Sequence, residues 1–172
     1  MAETKVKFAA DVAIVVANWS TGLADGESAL SAVIDNSVNL FLDALVGGKL
    51  AASTLTGGPI VAGDSLDVYV LAQYSDTDED IGGAIDALLG WGNEEAVDVA
   101  FVKANLTLLQ SVQVQATAPD TTQDLHFGPI GIAQFFGGVL PKKWGLLLHN
   151  NTAATLGAGS DANYIGITYS TV

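Results

Sequence analysis

The stretch 126–151, HFGPIGIAQFFGGVLPKKWGLLLHNN, decides the fold. It opens inside an apolar segment, Leu125 to Ile132, and ends in a second, Trp144 to Asn150. Both read as strands. Trp144-Gly145-Leu146-Leu147-Leu148-His149 alternates with the period of two that marks a strand. Between them Phe135 to Leu140 reads as a turning segment. Pro129, Pro141 and the glycines fix turns on either side, and the apolar residues between those turns must be covered. Two strands joined by a turn, with nothing helical between, set the pattern for the whole chain.

Working outward, further strand-like segments lie on both sides. Val12 to Asn18 is rich in Val and Ile, which favour strands. Val38 to Val46 alternates, with Val38, Leu40, Leu42, Ala44 and Val46 on one side. Gly47-Gly48 then punctuates it, before a shorter run at Leu50 to Leu55. Leu66 to Tyr74 alternates again. Val97 to Gln115 supplies one or two strands, and Tyr164 to Ser170 closes the chain. Ser28 to Asn36 is ambiguous, because Leu30, Val33 and Ile34 have helical spacing. Residues 75 to 95 form a long acidic surface excursion. Thr152 to Asn163 reads as a small-residue loop. Seven or eight strands with Gly-rich links predict an all-β fold, an antiparallel β-sandwich of jelly-roll or Greek-key type. Residues 1–10 read as an N-terminal arm and 11–172 as a single sandwich domain.

Composition narrows the function. The 172 residues are 49% apolar and 15% charged, a balance that gives a core rather than disorder. No apolar run reaches the roughly 18 residues of a membrane helix. No secretory leader pattern opens the chain, so the expectation is a soluble protein made without export. The net charge is −13, from six lysines, no arginine and 19 acids. Lack of arginine argues against nucleic-acid binding. With no cysteine, disulfides and thiolate chemistry are excluded and a structural zinc site is disfavoured.

Several motifs invite a chemical reading. Gly63-Asp64-Ser65-Leu66 spells the nucleophile block of the GDSL esterases, but Asp124 and His126 lack the Asp-x-x-His spacing and the α/β context is missing. The plainer reading ends a loop before a strand. Asp76-Thr77-Asp78-Glu79-Asp80 imitates the opening of a calcium loop. Positions six and twelve hold Ile81 and Ala87 instead of Gly and Glu, so the EF-hand reading fails and leaves two readings of Asp76 to Asp80, a solvated acidic loop and a looser calcium site. His126 and His149 have no fixed metal-ligand spacing, and His149 is expected to face solvent or a subunit contact. Lys142-Lys143 reads as a turn pair beside Trp144. Phe127, Phe135, Phe136 and Trp144 are expected in the core, tying two sheets together. Trp19 and Trp91 fall in loops and are candidates for partner contacts. No catalytic set, cofactor site or metal site emerges.

At Gly128-Pro129, Phe136-Gly137-Gly138-Val139, Pro141-Lys142 and Trp144-Gly145 the chain resembles small virion structural proteins of tailed bacteriophages. Ile34-Asp35-Asn36-Ser37 with Leu42-Asp43-Ala44-Leu45-Val46-Gly47-Gly48-Lys49-Leu50 looks like another block of that group, and Leu66-Asp67-Val68-Tyr69-Val70 is similar to its next strand. The resemblance runs from about residue 18 to 170 in short blocks. It implies a capsid decoration (cement) protein on the virion surface, made in the host cytoplasm. Such a protein is not an enzyme, needs no cofactor, binds the major capsid protein lattice and forms a homo-oligomer, a trimer by preference, with no nucleic-acid or membrane partner. Under this reading Lys5, Lys7 and Phe8 are lattice contacts. A tail or head–tail connector component is the alternative in the same class. A carbohydrate- or cell-surface-binding module and a serine esterase are the alternatives from other classes.

Overall fold

The computed structural model describes residues 4–16, 22–53, 63–73, 106–114, 122–156 and 159–171. They contain ten strands: β1 (Thr4–Ala13), β2 (Ser28–Leu30), β3 (Ile34–Asp35), β4 (Asp43–Ser53), β5 (Ser65–Gln73), β6 (Thr107–Gln113), β7 (Thr122–Gly131), β8 (Lys143–Asn151), β9 (Thr155–Leu156) and β10 (Asp161–Thr171). The only helical element among the described residues is a single 3-10 turn, Ala133–Phe136. One sheet runs β1-β10-β4-β7, with β9 added to β4. The other runs β2-β8-β5-β6, with β3 added to β8. Every pairing is antiparallel. The two sheets pack face to face, so the chain is an all-β antiparallel sandwich.

The order of pairing is nested. Among the described strands, setting aside the two-residue β3 and β9, the first pairs with the last (β1 with β10), the second with the seventh (β2 with β8), the third with the sixth (β4 with β7) and the fourth with the fifth (β5 with β6). The opening stretch makes one of the passages between sheets. β7 ends at Gly131, the 3-10 turn follows, and β8 begins in the other sheet.

The core explains why these segments pair. Leu66, Val68 and Val70 of β5 and Trp144, Leu146 and Leu148 of β8 cluster with Val46 and Leu50 of β4 and with Phe127 and Tyr164. Burying each such side chain contributes about 1.5–3 kcal/mol. The Trp144 ring meets the Tyr164 ring edge-on across the sandwich, with centroids 5.3 Å apart and planes at 82°. Phe127 and Trp144 are buried, and Phe135 and Phe136 pack against the same cluster from the 3-10 turn. The expected aromatic tie between sheets is present.

Six local readings change, the first at Thr152 to Asn163, which holds β9 and the start of β10 where the sequence suggested a loop. Residues 4–13 form β1, paired along its length with β10, where the sequence suggested an arm to residue 10 and a strand from residue 12. The pairing partner lies at the far end of the chain, beyond the reach of local pattern. Ser28 to Asn36 resolves into β2 and β3, not a helix. Val38 to Leu42 is a turn, and β4 starts only at Asp43; the alternation there is coincidental, and Val38, Leu40 and Leu42 are exposed. Gly47-Gly48 lies inside β4 and does not end it. A Cβ on Gly48 would sit 2.3 Å from Asp161 O and 2.7 Å from the Phe127 ring, so the strand needs glycine to let its neighbours close. His149 is 2% exposed, not solvent-facing, because β8 is a central strand buried on both faces. The acidic excursion, residues 75 to 95, lies outside the described residues.

Candidate docking surface

Lys5, Lys7 and Phe8 stand on the first half of β1, and all three are exposed. Phe8 shows 62% of its surface. Its position follows from the strand register: Val6 lies opposite Tyr169 and Phe8 opposite Ile167. Val6, Phe8 and Tyr169 therefore share one face, and each is exposed. Trp19 and Trp91, the other two candidates, lie outside the described residues.

The same end of the sandwich carries a second exposed apolar group that sequence reasoning missed. Leu42 N–H donates to Ile167 O at 2.9 Å, which places the turn before β4 beside β10. Leu140 N–H donates to Leu42 O, and Asn36 N–H donates to Lys142 O at 2.7 Å. The turn 36–42 and the turn 137–142 thus lie side by side. They expose Val38 (84%), Leu40 (69%), Leu42 and Val139. Of the eleven large apolar residues exposed among the described residues, seven belong to this end.

The turn that presents Leu40 is built, not slack. Asn36 is buried, and its side chain clamps the backbone of Phe41: Nδ2 donates to Phe41 O at 2.9 Å, and Phe41 N–H donates to Oδ1 at 2.8 Å. Leu40 N–H closes the turn on Asn36 O. Leu40 is held at φ 51°, the one positive φ among the described non-glycine residues. A leucine there is uncommon, since Asn or Gly fits the left-handed region more easily. Asp43 anchors the neighbouring passage by accepting from Ala133 N–H at 2.8 Å.

Lys142 and Lys143 flank these turns, and Lys143 lies opposite Asp35 on β3. The Asp35 carboxyl is held below the usual carboxylate range, first by hydrogen bonds from Ser37 and then by the charge of Lys143 and Lys142. Four of the chain's six lysines, Lys5, Lys7, Lys142 and Lys143, thus gather at this end. The opposite end holds Asp25, Glu27, Asp64, Asp124 and Asp161, five of the nine acids among the described residues. There Lys49 meets Asp124 at 3.6 Å.

The chemical candidates fall elsewhere. Ser65 is the first residue of β5, buried, and lies in register with Asn151 and Gln113. His126 is on β7, opposite Lys49 in one sheet, while His149 is on β8 in the other. His149 belongs to a polar row that the sequence did not reveal. Ser28, His149, Asp67 and Ser111 are in register across β2, β8, β5 and β6. Ser28 Oγ and His149 Nδ1 share a hydrogen bond of 3.1 Å, and Ser111 Oγ donates to Asp67 Oδ1. Burial, and next the Asp67 charge, push the Tyr69 phenol up. These groups satisfy one another inside the sheet surface, which accounts for their burial. Among the described residues no group of three His, Cys, Asp or Glu gathers to hold a metal. No helix among them is long and apolar enough to cross a membrane.

No protein-family model matches the chain, and no curated protein matches it.

Proposed function

We propose that this chain is a virion structural protein of a tailed bacteriophage, a decoration protein that docks on the outer surface of the capsid lattice and stabilises the head. It acts by binding and not by catalysis, without a cofactor, as a homo-oligomer. The observation that carries the reading is the meeting of the two sequence blocks that resemble such proteins. The blocks Ile34–Ser37 with Leu42–Leu50 and Gly128–Gly145 are far apart in the chain, yet the turns 36–42 and 137–142 that they flank lie side by side at one end of the sandwich and expose Leu42 and Val139, with Val38 and Leu40 between. Exposed apolar side chains gathered on adjoining turns, rather than scattered singly, fit a contact with a partner. Repeated over a shell, such contacts stabilise the assembled state by mass action.

The nested pairing supports the same reading. First with last, second with seventh, third with sixth and fourth with fifth among the described strands supports a jelly-roll reading, a hairpin rolled up once. That architecture recurs in viral capsid domains, but also in lectins and cupins. Architecture alone therefore does not carry function, and the exposed end is the stronger support. Cryo-electron microscopy of purified particles tests the proposal. Density for the sandwich on the outer capsid surface is the expected result. Density confined to the tail or connector moves the protein to the alternative in the same class. Particles without it overturn the reading.

A further inference from the structure

β1 is held differently from every other long strand. From Lys5 to Ala13 none of its residues is buried, and only Ala9 is half-buried. Each of β4, β5, β6, β7, β8 and β10 sends buried side chains into the core. Among the described strands β1 pairs with β10 alone. That pairing is interrupted. Phe8 lies opposite Ile167 and Asp11 opposite Ile165, so Ala9 and Ala10 together face Gly166. Such a bulge breaks the ladder locally. Toward its start β1 also outruns the sheet. β10 pairs with β4 only as far as Ile167, opposite Asp43. Thr4–Lys7 and Thr168–Thr171 therefore make a ribbon of two strands beyond the reach of β4. Two strands by themselves are marginal in water.

The balance of forces on β1 is correspondingly fine. Ordering each residue costs backbone entropy, and a ladder hydrogen bond, traded against bonds to water, offsets little more than that. What fixes a strand beyond this is apolar burial, which β1 lacks. The next residue is different. Ile14 belongs to the core, and its N–H donates to Ala162 O at 2.8 Å. Ala32 N–H donates to Val15 O at 2.8 Å, and Val16 bridges to Ser31. From Ile14 to Val16 the chain is tied both to β10 and to the segment that follows β2.

We infer that β1 is a releasable strap, which swings away from β10 about a hinge at Ala13–Ile14 while the rest of the sandwich stays folded. Opening releases Thr168–Thr171 as well and uncovers the edge of β10 from Asn163 onward. Closed, β1 caps that edge, whose N–H and C=O groups would otherwise stand unpaired. Open, Thr4–Ala13 is an arm about 30 Å long that carries Lys5, Val6, Lys7 and Phe8 together. The inference rests on how β1 is packed and not on the virion assignment. Where that assignment holds, the residues expected to touch the lattice move as one piece.

Native-state hydrogen exchange of the full chain, read residue by residue by NMR, tests the strap. The β1 amides that donate to β10 should be protected relative to a free chain, yet exchange at least about 100-fold faster than the β8 amides. Their rates should hardly change in low urea, because the opening exposes little surface. Val6 and Tyr169 lie opposite each other in a chain with no cysteine, so Val6→Cys with Tyr169→Cys provides a lock. The oxidised form should slow β1 exchange at least about tenfold, and reduction should restore it. β1 amides as slow as those of β8, with the same urea dependence, overturn the proposal, because the strand then opens only with the whole fold. So do β1 amides with no protection at all, or a lock that leaves their exchange unchanged.

Discussion

Asn36 and Leu40 carry opposite halves of one local bargain. Leu40 takes a backbone conformation that suits it poorly, and Asn36 supplies two side-chain hydrogen bonds that hold the turn in place. Replacing Asn36 with Ala leaves the Phe41 N–H and C=O without those partners and should cost about 2 kcal/mol. A lower midpoint in urea with an unchanged slope is the expected result. Asp35, the residue just before the clamping Asn36, gives a pH prediction. Its folded-state pKa is depressed, chiefly by Ser37 and then by the lysines, so its stabilisation is present above the unfolded-state pKa. It is lost as pH falls through the folded value. Asp35→Asn should therefore show a stability deficit near neutral pH that vanishes in acid, and carbon NMR of the Asp35 carboxyl should titrate below the usual range. None of this was legible in the sequence. Val38, Leu40 and Leu42 fall on one side of an apparent strand, and only Asn36 reaching across five residues turns that alternation into a projecting loop.

Strands were more legible than their limits. β5, β7, β8 and β10 fall within a few residues of where alternation puts them, with β7 and β10 each starting earlier, in segments that read as polar or small-residue loops. β4 was cut short at Gly47-Gly48, since two glycines read locally as a turn. Here they mark a close approach of backbone to Asp161 and Phe127. Gly48→Ala should then overpack that crossing and cost about 1–3 kcal/mol, read as a lower melting temperature. β1 was missed in part for another reason: its lysines gave Thr4–Phe8 a polar look, and its partner is the last strand. The tie between sheets was predicted from aromatic content and is present. Trp144→Ala removes the largest fully buried side chain and its edge-on contact with Tyr164. A loss of about 3–5 kcal/mol is expected, with the near-ultraviolet circular dichroism of the tryptophan gone from the spectrum.

At the scale of the molecule, an antiparallel sandwich follows from the pattern of strands, while the order of pairing needs the folded chain. Charge behaves the same way. A total of −13 hides the fact that Lys5 and Lys7 come together with Lys142 and Lys143 at one end, because the register of β1 against β10 and the passage from β7 to β8 bring them there. His149 and Asp67 likewise meet only because β5 and β8 are neighbours. What the described residues present is an apolar end with four lysines, built by segments remote in sequence, and under the proposed function that end holds the protein to a shell. The most direct measurement is quantitative mass spectrometry of washed, purified phage particles. The chain is expected in a fixed whole-number ratio to the major capsid protein. Its absence from particles whose shell is intact would contradict the proposed function.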